Sequence, residues 1–207
     1  MSRQQGVAIR PAREADVAAI VALVNRLAET DVMLPRSPES VRAALEHFLV
    51  AEREGAFVGC AALKLWSKDL AEVRSLVVDE AMRMHGVGRL LVEALVVDAQ
   101  RRGVAQLFAF TLVPGFFHKL GFEVVQHETL PHKVFYDCLF CPKMQSCDEI
   151  AMVRVLRADA PPIAPAELLD KRRIPLKRRR KDAAAKPEPQ TPAVPATPPA
   201  RAFARNR

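Results

Sequence analysis

Hydrophobic positions recur along the first 156 residues with two different spacings. Short alternating or β-branched runs predict strands at "VAIRPA", at "AEVRSLVVD", at "GVAQLFAFT", at "FEVV" and at "EIAMVRVL". In "FLVAEREGAFVGCAALKLW" the alternation continues on both sides of "EREG" (52–55), which predicts a hairpin. A helical spacing governs residues 13–29, where Val17, Ile20, Val21, Val24, Leu27 and Ala28 fall on one face. Ser37 before Pro38 predicts the start of a second helix, running to about Phe48. A third helix is expected from about Gly88 to Arg102, and "PGFFHKLG" reads as a short fourth. The order is β-α-α-β-β-β-α-β-α-β-β. A hairpin and meander followed by βαβ units implies an α/β fold of the α+β type, a mixed sheet with helices on both faces.

This patterning stops near residue 157. Residues 157–207 hold 10 of the 16 prolines, with 13 Lys and Arg against 5 Asp and Glu. The preceding part is almost neutral, with 18 basic and 19 acidic residues. The high pI of about 9.6 therefore belongs to the tail. Its Pro- and Ala-rich composition cannot bury enough apolar surface to offset chain entropy. The expected organisation is one domain over 1–157 and a disordered basic tail over 158–207. The run "KRRIPLKRRRK" (171–181) offers charge to nucleic acid or another anionic surface, but has no aromatics for base stacking. No stretch is long and apolar enough for a membrane span, and "MSRQQGVAIR" lacks the core of a secretory signal. A cytoplasmic protein with no membrane association is expected, and its four cysteines then argue against a disulfide framework.

The chemistry concentrates in "VVDEAMRMHGVGRLLVEAL" (77–95), where a strand meets a helix through Arg83-x-x-Gly86-x-Gly88. A helix N-terminus presents unpaired N–H groups and the positive end of the helix dipole, a prepared site for phosphate oxygens. Glycines let the backbone approach a ligand closely. The spacing matches neither G-x-G-x-x-G nor G-x-x-x-x-G-K-[ST].

With "FFHKLGF" (116–122) some thirty residues on, the chain resembles the GNAT acetyltransferases over roughly residues 7–156. That resemblance implies the GNAT fold and acetyl-CoA as co-substrate. It places backbone groups of Leu76 and Val78 along the pantetheine arm. It sets Arg83, His85, Gly86, Val87, Gly88 and Arg89 around the pyrophosphate, mostly through main-chain N–H. Phe117 stands where many GNATs carry a tyrosine that protonates the leaving thiolate. A phenyl ring cannot do so: either another donor serves, with Thr111 at a strand end the expected position, or the thiolate leaves unprotonated.

"DVMLPRSPES", "GCAALKLW", "LAEVRSLVVDEAMRMHGVGRLL", "LFAFT" and "ETLPHKVFYD" are most similar to the acetyltransferase domain of N-acetylglutamate synthases, in a short form. The implied reaction is acetyl transfer to the α-amine of L-glutamate, the first step of arginine synthesis. Glu72 matches the family's base. Arg36 and Arg74 are expected to hold acceptor carboxylates, with Lys64 as a third cation. Period-2 geometry puts Glu72 and Arg74 on one strand face. The small-molecule acceptor has alternatives in glutamine, another amino acid, a polyamine or a protein terminus. A different class of reading is a catalytically degenerate acetyl-CoA-binding protein that its tail recruits to nucleic acid. A weakly held homodimer is the expected assembly. Cys138-x-x-Cys141 and Cys147 have the spacing of three thiolate ligands, so a structural zinc beside the acceptor loop is a further expectation.

Overall fold

The sheet has seven strands in the order β1-β2-β3-β4-β5-β7-β6. They are β1 (Val7–Pro11), β2 (Phe48–Arg53), β3 (Ala56–Leu65), β4 (Leu70–Val78), β5 (Gln106–Thr111), β6 (Glu123–Val124) and β7 (Ile150–Val155). The helices are α1 (Val17–Ala28), α2 (Pro38–Arg42), α3 (Val87–Arg101), α4 (Pro114–His118) and α5 (Pro131–Tyr136). The structure is a computed structural model and describes residues 6–30, 32–141 and 143–161. The expected tail lies outside the described residues from 162 onward. Its first residues, by contrast, are tied to the sheet: Gln106 Nε2 donates to the Pro161 carbonyl at 2.8 Å.

Both sheet faces are covered, and β3 shows why its sequence is nearly all apolar. Cys60 and Ala62 pack with Ile20, Val24 and Val41 on the face of α1 and α2. Ala61 and Leu63, one residue out of step, pack with Leu91, Val92 and Leu95 of α3. Alternate side chains point to opposite faces, so a strand buried on both sides loses its polar alternation. Leu91 and Leu95 are fully buried, and each contributes about 2 kcal/mol by leaving water. The hairpin turn falls on Glu54 and Gly55, at φ 53° and 78°. Two left-handed residues in a row match the twist of the flanking strands.

Among the described residues β4 and β5 form the one parallel pair, and it is short: Leu70↔Gln106, Ala71↔Leu107 and Glu72↔Phe108. Beyond Glu72 the strands diverge. A bulge in β4 accompanies the divergence: Cys60 pairs with Val77 and Ala62 with Arg74, so two residues of β4 oppose one of β3. Ser75 in that bulge takes φ 48°. Extra residues of this kind bend a strand and increase its twist. The result is a wedge opening between β4 and β5.

Two expectations need correction. α2 ends at Arg42 instead of continuing to Phe48, because Phe48 is buried as the first residue of β2 and Leu45–His47 turns tightly to reach it. α5 has no counterpart among the predicted elements. It begins with proline and spans six residues, too few for helical periodicity to register.

Candidate active site

At the β4–α3 junction, Asp79 Oδ1 accepts from Ala81 N–H, and Asp79 Oδ2 is bound by Arg26 at 2.9 Å. The chain then turns through Met84 at φ 64° and Gly86 at φ 80°. Gly86 is the N-cap of α3, in a left-handed conformation that a side chain would strain. The first helical bond inside α3 runs from Leu90 N–H to the Gly86 carbonyl. The N–H groups of Val87, Gly88 and Arg89 therefore lack partners within the helix and face outward at its positive end. A Cβ on Gly88 would lie 3.4 Å from the Phe116 ring and 3.7 Å from Val78 Cγ2, so the helix start is held close to both. Arg83 pairs with Glu80 and Arg89 with Glu93 at the surface. The His85 ring nitrogen Nδ1 is 2.7 Å from the Arg83 carbonyl. The anion-binding capacity of the loop thus resides chiefly in its backbone.

The wedge beside this junction is a cleft of about 370 Å³ whose walls include Arg36, Glu72, Arg74, Thr111, Phe117 and Lys133; Leu76 also lines it. Glu72 is 2% exposed. Its Oε1 accepts from Lys133 Nζ at 2.6 Å and its Oε2 from the Trp66 indole N–H at 2.9 Å. Arg74 Nε is 3.7 Å away, as their shared strand face requires. A carboxylate has about four acceptor positions, so Glu72 keeps lone pairs for a third partner in the cleft.

A second carboxylate organises the cations. Asp137, just past α5, lies 3.1 Å from Lys133 Nζ, 3.1 Å from Arg74 Nη2 and 3.3 Å from Lys64 Nζ. Burial alone would raise its carboxyl pKa, but Arg74, Lys133 and Lys64 outweigh burial and hold it below the ordinary carboxylate range. Lys64 also stacks on Trp66, 3.6 Å from the ring centroid. Arg36 differs from the rest. Its backbone is clamped in both directions by the Asn25 side chain. Its Nη2 donates to the Ser40 carbonyl at 3.2 Å. Among the described residues it makes no ion pair, and burial followed by the nearby Arg74 pulls its pKa down. A guanidinium in that position calls for an anion.

Thr111 is buried at the end of β5. Its Oγ1 accepts from Val113 N–H at 3.0 Å, which leaves the hydroxyl proton free to donate. Phe117 packs edge-on against Phe116 and Phe122, with centroids 5.1 and 5.2 Å away. The structure therefore brings together Glu72, Arg36, Arg74, Thr111 and Phe117, with Lys64 one layer behind. Tyr136 is largely exposed, against Trp66, and does not line the cleft.

The expected metal site is not seen assembled among the described residues. Among the described residues no three His, Cys, Asp or Glu side chains are placed to hold a metal ion. Cys138, Cys141 and Cys147 are free thiols, with Cys147 exposed, and Cys141 and Cys147 border the cleft. Residues that the sequence did not single out are Lys133, Asp137 and Trp66. Lys133 and Asp137 stand four apart, the spacing of an ion pair along one helix face, which was the available signal.

The family description "Acetyltransferase (GNAT) domain" matches residues 44–124. An uncharacterized N-acetyltransferase of Chlorobaculum tepidum is 41% identical over 148 residues, covering 72% of this chain and 96% of that one. An amino-acid acetyltransferase of Mycobacterium tuberculosis is 34% identical over 130 residues, 61% of this chain and 74% of its own. The N-acetylglutamate synthase of Neisseria gonorrhoeae, solved with coenzyme A and N-acetyl-glutamate, superposes with a TM-score of 0.64 at 27% identity. That match covers 73% of this chain and 35% of the synthase, so the chain corresponds to about a third of that enzyme. With the wedge, the glycine-bearing helix start and these relatives in agreement, the chain belongs to the GNAT acetyltransferase family, with acetyl-CoA as its co-substrate.

Proposed function

We propose that this protein transfers the acetyl group of acetyl-CoA to the α-amine of L-glutamate, the reaction that forms N-acetylglutamate for arginine synthesis. The observation that carries the reading is the placement of Glu72 in the cleft with Arg36 and Arg74 beside it. A carboxylate meets the need to bind and deprotonate an ammonium, and guanidinium groups meet the need to hold carboxylates. The names of the M. tuberculosis and N. gonorrhoeae relatives support an amino-acid acceptor.

The pyrophosphate is held by the N–H groups of Val87, Gly88 and Arg89, and the pantetheine arm runs along Leu76 and Val78 to bring the thioester into the wedge. This anchoring lies away from the reacting carbon, so its binding energy serves orientation there. Glu72 receives the ammonium proton, directly or through a water. The neutral amine attacks the thioester carbon and forms a tetrahedral intermediate. Collapse forms the amide and breaks the C–S bond as the second amine proton passes to the departing sulfur through the Thr111 hydroxyl or a water, leaving a neutral amide and a free thiol. Phe117 keeps that side of the cleft dry.

Thiol release from acetyl-CoA, followed over a panel of amines, tests the reading. Turnover with glutamate is the expected result. Turnover with a polyamine or a peptide terminus but not glutamate would reassign the acceptor. Coenzyme A binding without turnover of any amine would identify a binding protein instead.

A further inference from the structure

Among the described residues, two buried side-chain polar atoms have no hydrogen-bond partner, Arg36 Nε and His47 Nδ1. Both residues line the same small chamber of about 140 Å³. The chamber shares Arg36, Arg74 and Ser75 with the main cleft, so it adjoins the acceptor end of the wedge. His47 closes the tight turn before β2, and its other ring nitrogen lies 3.6 Å from the Glu46 carboxylate. The remaining cations on the chamber wall, Lys64 and Arg74, are already engaged with Asp137. Among the fully buried side-chain atoms of the described residues, the ones on this wall without a partner are one guanidinium N–H and one imidazole nitrogen.

A buried donor without a partner is a cost that a ligand can relieve. With a proton on His47 Nδ1, both orphaned atoms are donors. Two donors suit a group with two acceptor oxygens. A carboxylate satisfies both, whereas a carboxamide turns its own N–H₂ towards one of them. Phe48, Ala62 and Leu63 supply apolar wall for methylene groups. The volume holds a carboxylate with its neighbouring methylene and an ordered water, given about 30 Å³ per water. The α-amine and α-carboxylate share one carbon and stay with Glu72 in the main cleft. The acceptor's far end is what reaches the chamber.

We infer that the Arg36–His47 chamber seats the side-chain carboxylate of the acceptor, and that His47 is a specificity-determining residue that donates to it from Nδ1. The inference rests on the proposed amino-acid acetyltransferase reading and names how that site distinguishes an acidic side chain from its amide.

The test compares glutamate with glutamine as acceptors, and glutarate with its monoamide as competitive inhibitors. In the wild-type protein, glutarate is expected to compete about tenfold better than the monoamide. In His47→Leu, KM for glutamate rises about tenfold, the loss falls on KM more than on kcat, and preference for glutamate over glutamine shrinks. His47→Gln, which restores a donor, recovers part of that preference. The inhibitor comparison needs no variant, so it decides the matter even if His47→Leu fails to fold. If glutamate is acetylated but glutarate and its monoamide compete equally, or the preference survives in folded His47→Leu, the chamber inference is overturned and the parent reading stands. If the coenzyme-loaded protein neither binds nor acetylates glutamate or glutamine, both are overturned.

Discussion

Lys133 Nζ lies 2.6 Å from Glu72 Oε1, joining residues 61 positions apart in the chain. Both side chains are almost wholly buried. The contact ties α5 to β4 and so helps to build the wall of the cleft that both residues line. Removing one member of a buried ion pair leaves the other charge uncompensated. Lys133→Met is therefore expected to lower stability by about 3 kcal/mol, read as a drop in Tm and in the urea midpoint. An unchanged Tm would mean that water reaches Glu72 freely.

Glu72→Gln keeps the shape but removes the proton acceptor, and its single amide oxygen cannot serve both Lys133 and Trp66, so kcat is read on protein whose Tm shows it folded. The expected loss in kcat is about 100-fold or more, with coenzyme A affinity unchanged by calorimetry. A loss confined to KM would show that Glu72 binds the acceptor without taking its proton.

The helix start makes a separate claim. At Gly88 a Cβ would already lie 3.4 Å from the Phe116 ring and 3.7 Å from Val78 Cγ2, so a larger side chain crowds the start of the helix. Gly88→Val is expected to weaken coenzyme A binding at least about tenfold. Equal affinities for coenzyme A and for pantetheine lacking the diphosphate, in the wild-type protein, would refute phosphate capture by α3.

Asp137 gives a pH dependence with a defined sign. Its carboxyl pKa is depressed in the folded chain, with burial outweighed by Arg74, Lys133 and Lys64. A depressed carboxyl contributes stability that is fully present above its unfolded value, about 3.9. That contribution disappears as pH falls through the lower folded value. Melting curves of wild type and Asp137→Asn should differ by a constant amount above about pH 5 and converge in acid. A gap that widens on acidification would contradict the ion-pair assignment.

The thiols should react in an order set by burial. Burial pushes Cys60 up to about 12 and Cys138 up to about 11, whereas Cys147 is exposed. Thiolate is the reactive form, so alkylation near pH 8 should label Cys147 early and Cys60 last. Chelator treatment is expected to leave Tm unchanged; a marked drop would show that the cysteines recruit a metal after all.

Much of this architecture was legible because it is local. The β4–α3 junction announces itself through Arg83, Gly86 and Gly88, and period-2 spacing alone placed Glu72 beside Arg74. What stayed hidden depends on distant chain segments meeting. Lys133 sits on a helix too short to show periodicity and Asp137 just past its end, and their partners Glu72, Lys64 and Arg74 come from the central strands. Trp66 was an apolar letter at the end of a strand until its indole N–H found Glu72. Helix α2 was overextended because Ala43, Ala44 and Leu45 are good helix formers, while Phe48 is needed in the sheet and tertiary packing prevails.

The parallel ladder between β4 and β5 stops after three residue pairs. Beyond it, two rows of peptide groups flank an empty slot in the middle of the sheet rather than at its rim. Such groups recruit any extended amide-bearing chain that fits, as an exposed edge does. On the proposed path of the pantetheine arm, filling that slot would complete the sheet as well as deliver an acetyl group, and by mass action it would shield the native state from unfolding. The protein's lifetime in solution would then follow the supply of its own reagent.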